Sequence, residues 1–83
     1  MKNILITGGA GFIGSSLIRF ILTKTDMSVI NVDKLTYAGN LDSIGTLSEN
    51  SRYTFEEVDI CNLGEIKNIF NTYRPVVVMH LAA

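Results

Sequence analysis

The sequence is short of cysteine and of any excess charge. It has one cysteine, Cys61, and its seven basic and eight acidic residues give a net charge of −1. A single cysteine excludes an internal disulfide framework and is typical of a protein that works in a reducing cytosol. Because this charge balance provides no basic surface for nucleic acid or anionic lipid, we expect neither as a partner.

A long hydrophobic run is also missing. The longest stretch without charge, residues 3–18, contains four glycines. A membrane-spanning helix needs about 20 mostly apolar residues, and glycine lowers helix propensity. We therefore predict no transmembrane segment, no export signal and a cytoplasmic location.

Apolar side chains, in contrast, are abundant. The 83 residues are 47% hydrophobic and 18% charged, with a mean hydropathy of +0.29. A chain of this length makes one small domain at most, and such a domain normally leaves much of its surface in water. This high proportion of hydrophobic to charged residues indicates a segment whose helices and strands are covered on both faces by further chain.

Four short apolar runs predict β-strands. They are Asn3–Thr7, Val29–Asp33, Tyr53–Val58 and Val76–Leu81. The last run is almost continuously hydrophobic, as in a strand with both faces covered. In the 83-residue chain we expect it to form an exposed apolar edge, which would favour self-association and weak stability.

Helical spacing of apolar residues lies between the strands. The first helix is predicted from Ile13 to Lys24 or Thr25, and a second begins after Asn62, which with Glu65 forms a capping-box-like start. The second helix ends at Arg74–Pro75, and a short helix is predicted at 41–47, capped by Asn40. The predicted apolar faces are Ile13, Leu17, Phe20 and Ile21 in the first helix, and Leu63, Ile66, Ile69, Phe70 and Tyr73 in the second.

This alternation of strands and helices is the pattern of right-handed βαβ units. It predicts an α/β fold with a Rossmann-type parallel sheet and flanking helices. The sheet is incomplete, with about four strands in the order 3-2-1-4. We interpret residues 1–83 as the amino-terminal part of one such domain, with no second domain.

A glycine-rich loop carries the clearest chemistry. Gly9, Gly11 and Gly14 spell G-x-G-x-x-G between the first strand and the first helix, and Gly8 extends the pattern. In that context glycines permit a tight turn and a close approach of backbone N–H groups to a pyrophosphate, which the helix N-terminus also favours. The alternative is a glycine turn in an unrelated α/β domain.

Asp33 ends the second strand, nineteen residues after Gly14. This is close to the spacing of about 20 residues expected for the acid that binds the adenosine ribose. Its carboxylate would accept both ribose hydroxyls and repel a 2′-phosphate, which predicts NAD rather than NADP. Two alternatives stay open: Lys34 could tolerate the phosphate, and Asp33 could be a solvated strand-end residue.

Three further side chains have more than one interpretation. Asp59 follows the third strand and could face the adenine or serve only as a carboxylate at a helix start. His80 lies inside the last strand, where a core or sheet-face histidine is favoured over an acid/base. Cys61 is favoured as a small buried residue over a nucleophile, because no base is paired with it in the sequence.

Several segments resemble the extended short-chain dehydrogenase/reductase family over the whole chain. Thr7–Gly14 and His80–Ala83 are similar to motifs shared widely in it, and Asp33–Leu41 and Arg52–Cys61 resemble its dTDP-glucose 4,6-dehydratases. The loop, the acidic residue and this resemblance together predict the cofactor-binding residues, which are Gly8, Gly11, Phe12, Ile13, Gly14, Asp33, Lys34, Leu35, Thr36, Asp59, Ile60, Leu81, Ala82 and Ala83.

The resemblance implies a sugar-nucleotide enzyme that keeps NAD bound, acts on dTDP-glucose and forms a homodimer at full length. It also implies a catalytic Tyr-x-x-x-Lys, which the chain lacks: the residues four places after Tyr37, Tyr53 and Tyr73 are leucine, glutamate and valine. We therefore predict no catalytic residue in these 83 residues. An epimerase or decarboxylase of the same family, or a non-catalytic dinucleotide-binding module, stays open as an alternative.

Overall fold

The computed structural model describes residues 2–8, 12–34, 45 and 49–81, with only the backbone of Phe12. In chain order the elements are β1 (Asn3–Thr7), α1 (Phe12–Lys24), β2 (Ser28–Asp33), β3 (Tyr53–Glu57), α2 (Leu63–Tyr73) and β4 (Val77–His80). All predicted strands and both long helices are present, and their ends differ from the predicted ones by at most one residue. The helix predicted at 41–47 lies outside the described residues.

The strands form one parallel sheet in the order β3-β2-β1-β4, as predicted. The registers pair Leu5 of β1 with Ile30 of β2 on one side and with Val78 of β4 on the other. Successive side chains of a strand point to opposite faces, so each of the inner strands β1 and β2 feeds two apolar layers. This two-sided burial explains why their sequences are apolar runs without strict alternation.

Helix α1 covers one face of the sheet with a different stripe from the predicted one. Ile18, Ile21 and Leu22 are at most 4% exposed and pack in a cluster with Ile4, Ile6, Val29 and Tyr53. The predicted face is only half right, because Leu17 and Ile21 contact this cluster, whereas Ile13 and Phe20 are 71% and 58% exposed. The helix carries apolar residues at more positions than one face can hold, and packing on the sheet selects among them.

Helix α2 covers the opposite face. Ile69 is buried and Ile66 and Tyr73 are partly buried against a cluster that contains Leu5, Ile30, Val32 and Val58. The predicted face is again wrong at its outer edge, because Leu63 is 78% and Phe70 is 41% exposed. Val58 lies just beyond β3 and not inside it.

The ends of α2 follow the local sequence. The Asn62 side chain accepts a hydrogen bond from the Glu65 backbone N–H at 3.2 Å, which is one half of the predicted capping box. The other half does not form, because the Asn62 N–H donates to the Asp59 carbonyl at 2.8 Å. The helix stops at Arg74, before Pro75, in the left-handed conformation (φ 47°, ψ 61°) with its N–H donated to the Phe70 carbonyl.

Arg52 ties α1 to the turn before β3. Its guanidinium donates three hydrogen bonds of 2.7–2.8 Å to the carbonyls of Leu22, Thr25 and Met27. These carbonyls belong to the last turn of α1 and to its connection to β2, where a cation also complements the helix dipole. Arg52 therefore holds the end of α1 to the start of β3 at the edge of the sheet opposite to the strands' carboxyl ends.

Strand β4 is an exposed edge. Every residue of β4 is exposed, including Val77, Val78 and Met79 at 43%, 47% and 37%. Along one side, β4 pairs with β1. Along the opposite side, its N–H and C=O groups face away from the described sheet. Neither α1 nor α2, the two long helices within the described ranges, is long and apolar enough to cross a membrane.

Candidate functional site at the carboxyl edge of the sheet

The candidate residues gather at one edge because the four strands are parallel and end there together. Across this edge the strand order places Asp59 after β3, Asp33 and Lys34 at β2, Gly8 after β1 and Leu81 after β4. With neighbouring strands about 4.8 Å apart, the row extends over roughly 14 Å. A ligand that contacts all of it must be long and must carry different groups along its length.

Gly8 makes the turn that leaves β1. Its φ of 76° lies in the left-handed region that glycine adopts without strain. Its N–H donates to the Val32 carbonyl at 2.9 Å, so Gly8 continues the ladder to β2 and does not offer this N–H to a ligand. Helix α1 then begins at Phe12, and Gly14 is buried in its first turn. Gly9 and Gly11 lie outside the described residues.

Helix α1 thus begins four residues after Gly8, within the span of the G-x-G-x-x-G pattern. Ile13, one of the predicted cofactor-binding residues, is 71% exposed, more than any other apolar residue of α1 whose side chain the structure describes. This exposure, which contradicts its predicted place in the core, leaves it at the edge where the helix begins. The backbone of Phe12 opens the helix.

Asp33, Lys34 and Asp59 form a charged group between the ends of β2 and β3. The Lys34 Nζ lies 3.4 Å from the Asp59 Oδ2, and both side chains are about half exposed, at 50% and 44%. Asp33 is half-buried, and its backbone carbonyl accepts a hydrogen bond from the Val58 N–H at 3.3 Å. Of the other predicted residues of this loop, Leu35 and Thr36 lie outside the described residues.

The Asp59 carboxylate is held by two donors. The Cys61 backbone N–H donates to its Oδ1 at 2.9 Å, and Lys34 donates to its Oδ2. The hydrogen bond from Cys61, with Lys34 as a smaller contribution, holds the pKa of Asp59 below its usual range, so the group stays ionised. The Cys61 side chain is exposed, and the prediction that it is buried is wrong.

The other end of the row is linked by Thr7 and His80. The Thr7 Oγ1 and the His80 Nδ1 share a hydrogen bond of 2.7 Å, and the Leu81 N–H donates to the Thr7 carbonyl at 2.9 Å. His80 is exposed on the face of the sheet, in line with the sheet-face interpretation. Leu81 is 37% exposed at the strand end. Ala82 and Ala83 lie outside the described residues.

Sequence reasoning missed Thr7, a buried residue whose hydroxyl joins β1 to β4. The one available signal was its position directly before Gly8. Ile60, one of the predicted cofactor-binding residues, is half-buried and packs against the cluster under α2. Its place next to Asp59 keeps it at the same end of the row.

Two of the three tyrosines are engaged away from this edge. Tyr53 is 9% exposed, and its hydroxyl accepts a hydrogen bond from the Asn31 side chain at 3.0 Å. Burial raises the pKa of Tyr53. The Tyr73 hydroxyl donates to the Glu56 carboxylate at 2.6 Å, which raises the pKa of Tyr73. Tyr37 lies outside the described residues.

The chain matches a family of known proteins along almost its whole length. The family model described as GDP-mannose 4,6 dehydratase matches residues 5–83. A dTDP-glucose 4,6-dehydratase from Neisseria gonorrhoeae is 60% identical over 82 residues, which are 99% of this chain and 24% of the relative. The chain thus spans about a quarter of the length of the curated relatives it matches.

Solved structures share the fold at high similarity. A dTDP-glucose 4,6-dehydratase from Bacillus anthracis, determined in complex with NAD, superposes with a TM-score of 0.94 at 34% identity and covers 100% of this chain and 27% of that one. The UDP-Glc/GlcNAc 4-epimerase of Campylobacter jejuni gives a TM-score of 0.83 at 32% identity and covers 100% and 25%. The architecture is therefore common to enzymes with different reactions.

Proposed function

Because the chain belongs to the GDP-mannose 4,6 dehydratase family, we propose that it is the NAD-binding amino-terminal part of a dTDP-glucose 4,6-dehydratase. The whole enzyme would convert dTDP-glucose to dTDP-4-dehydro-6-deoxyglucose. In that reaction the sugar is oxidised at carbon 4 by hydride transfer to NAD, water is eliminated across carbons 5 and 6, and the hydride returns to carbon 6. The cofactor is regenerated, so no external oxidant is consumed.

The observation that carries this proposal is the order of groups along the carboxyl edge. Asp59 would lie by the adenine, Asp33 by its ribose, the turn at Gly8 and the start of α1 by the pyrophosphate, and Leu81 by the nicotinamide half. A dinucleotide laid across the ends of the strands would meet these groups in that sequence. Asp59 and Asp33 would bind polar parts of adenosine, and the helix N-terminus would favour the negative pyrophosphate.

The cofactor would be NAD because of the carboxylate at the end of β2. Asp33 ends β2 in the register that places it beside Glu57 of β3, at the carboxyl edge. Its carboxylate would accept hydrogen bonds from the two ribose hydroxyls and repel the second negative group of a 2′-phosphate. The NAD complex of the Bacillus anthracis relative supports the choice.

These 83 residues are not expected to catalyse the reaction alone. Tyr53 is buried under α1, and Tyr73 is bonded to Glu56 on the side of α2, so neither tyrosine faces the cofactor edge. A general acid/base must lie within hydrogen-bond reach of the proton that it transfers. We propose that the catalytic Tyr-x-x-x-Lys, the Thr-Asp-Glu of the elimination step and the sugar-nucleotide contacts belong to further chain of the same domain.

The main alternative is a sugar-nucleotide epimerase, favoured by the similarity to the Campylobacter jejuni enzyme. A pair of chimeras separates the two. Residues 1–83 would replace the matching part of the Neisseria gonorrhoeae dehydratase in one chimera and of the epimerase in the other. We expect the dehydratase chimera to keep kcat/KM within about tenfold of its parent, a change of about 1.4 kcal/mol, and the epimerase chimera to lose far more.

Formation of the 4-keto product and epimerisation, each measured relative to the parent enzyme, are the readouts. A higher relative activity in the epimerase host would favour the epimerase. Two inactive chimeras that still bind NAD would favour a non-catalytic dinucleotide-binding module.

We further propose that the enzyme acts in the cytoplasm, in the synthesis of deoxysugars such as rhamnose, and forms a homodimer at full length. The free, exposed Cys61 supports a reducing compartment, since an exposed thiol does not persist as such under oxidising conditions. The dehydratase relatives support the deoxysugar product. A rhamnose-deficient strain complemented by the full-length gene would test this assignment.

For the isolated 83 residues we propose self-association through residues 76–81. Strand β4 exposes apolar residues on an unpaired edge, and such edges pair with other strands. Replacing Val78 with lysine places a charge at the middle of this edge, so we expect the wild-type chain to sediment as dimers or larger species and V78K as monomers. Analytical ultracentrifugation measures this.

The matched control is I13K, which adds the same charge at an exposed isoleucine outside β4. A monomeric wild-type chain at the same concentration would contradict the proposal. Equal dissociation of I13K and V78K would show that charge alone, and not the β4 edge, governs association.

A further inference from the structure

The side chain that would recognise a 2′-phosphate is already paired. Lys34 is the first residue after Asp33, and its ammonium lies 3.4 Å from the Asp59 Oδ2. The other Asp59 oxygen accepts the Cys61 N–H, so the acceptor is fixed in orientation. The ends of β2 and β3 thus bring four charges to the region of the proposed adenosine site: Asp33, Glu57 and Asp59 are negative, and Lys34 is positive.

We propose that the Lys34–Asp59 ion pair is a second determinant of cofactor specificity: Asp59 holds the Lys34 ammonium away from the ribose 2′ position and so reinforces the exclusion of NADP by Asp33. This inference rests on the proposed NAD site. It makes Asp59 a positioning residue for Lys34 in addition to its proposed adenine contact, and the Lys34 charge is then balanced within the protein.

The proposed effect of Asp59 on cofactor choice is electrostatic. A 2′-phosphate brings about −1.5 to −2 charges, and a nearby basic side chain is what NADP-binding domains of this architecture supply. Lys34 has the right position in the sequence to supply it, but the pair with Asp59 leaves the group Asp33, Lys34 and Asp59 with a net charge of −1. Without the Asp59 charge the net charge is zero and the lysine can turn to the phosphate.

Bond geometry and exposure set the size of the effect. The pair is long, at 3.4 Å, and both side chains are about half exposed, so solvent screens it. We therefore expect a change in specificity of about fivefold to tenfold, as for a single partly solvated charge pair.

The test is the ratio of dissociation constants for NADP and NAD, measured by isothermal titration calorimetry with the full-length protein. Any loss of an adenine contact in Asp59→Asn affects both cofactors alike and cancels in the ratio. We expect the ratio to fall about fivefold to tenfold in D59N and to rise in K34Q, where the site becomes more negative. Asp26→Asn, which removes a carboxylate before β2 at the opposite edge, should leave the ratio unchanged.

The double variant K34Q/D59N identifies the contribution of the pair. If Asp59 acts by restraining Lys34, then D59N lowers the ratio more in the presence of Lys34 than in its absence. Equal reductions in both backgrounds, or an unchanged ratio in D59N, would overturn the inference while leaving the proposed function intact. Absence of saturable NAD binding by the folded, wild-type full-length protein would overturn the proposed function and this inference with it. D59S also removes the carboxylate and is measured in parallel, so the prediction is still tested if D59N does not fold.

Discussion

Replacing Ile18 with alanine is expected to lower the free energy of unfolding by about 3 kcal/mol. Ile18 is 0% exposed and lies in the cluster that joins α1 to β1 and β2. Removing its side chain beyond Cβ loses buried apolar surface and leaves a cavity under the helix. A domain of this size has roughly 4–12 kcal/mol of stability, so the loss is a large part of the total. Urea unfolding followed by far-ultraviolet circular dichroism measures it.

The same substitution at Ile13 is the matched control, in the same helix. Ile13 is 71% exposed, so I13A is expected to change the free energy of unfolding by about 0.5 kcal/mol or less. Equal losses in I18A and I13A would contradict the placement of α1 on the sheet and would restore the face predicted from periodicity.

Replacing Asp33 with asparagine is expected to weaken NAD binding roughly 30- to 150-fold, a change of about 2–3 kcal/mol. The carboxylate would accept hydrogen bonds from two ribose hydroxyls, and hydrogen bonds to a charged group contribute more than neutral ones. The neutral amide keeps the size of the side chain, so the change isolates the charge. Calorimetric titration of the variant with NAD measures the effect.

Asp26→Asn removes the same charge from the connection between α1 and β2 and should bind NAD as the wild-type chain does. NADP should bind D33N relatively better, because the repulsion of its phosphate is reduced. Unchanged NAD affinity in a folded D33N would mean that the carboxylate is only a solvated strand-end residue.

The strands and their order could be predicted from the sequence because their signals are local. Short apolar runs bounded by turns, and the alternation with helical spacing, leave few topologies open. The start of α2 was readable from Asn62, whose side chain caps the Glu65 N–H. The faces of the helices were not readable. In α1, apolar residues occur at so many positions that several stripes satisfy the period, and only contact with the sheet selects Ile18 over Ile13.

The contacts that join distant segments were also beyond sequence reasoning. Arg52 bonds to carbonyls that lie 25 to 30 residues earlier, and the Lys34–Asp59 pair spans 25 residues. Both depend on the register of β2 against β3, which no local pattern specifies. Asn31 is similar: it is 0% exposed in an apolar run, and it donates to Tyr53 across that same strand pair.

In the candidate site, too, some residues could be predicted from local sequence and some contacts could not. Gly8 and Asp33 could be placed because a turn and a spacing identify them, and the structure brings them to one edge with Asp59 and Leu81. The restraint of Asp59 by Cys61 and Lys34 came from the fold. It shows that Asp59, at the β3 end of the row, is already held by contacts within the protein.

The most direct test of the NAD-binding role is an amide NMR titration of the 83-residue chain with NAD and then with NADP, at a concentration where the chain is monomeric. The proposed role predicts saturable shifts with one dissociation constant along the edge, at Gly8, Asp33, Asp59 and Leu81, and a much weaker response to NADP. Shifts confined to another surface, such as the exposed Leu63 and Phe70 of α2, or an equal response to both cofactors, would contradict it.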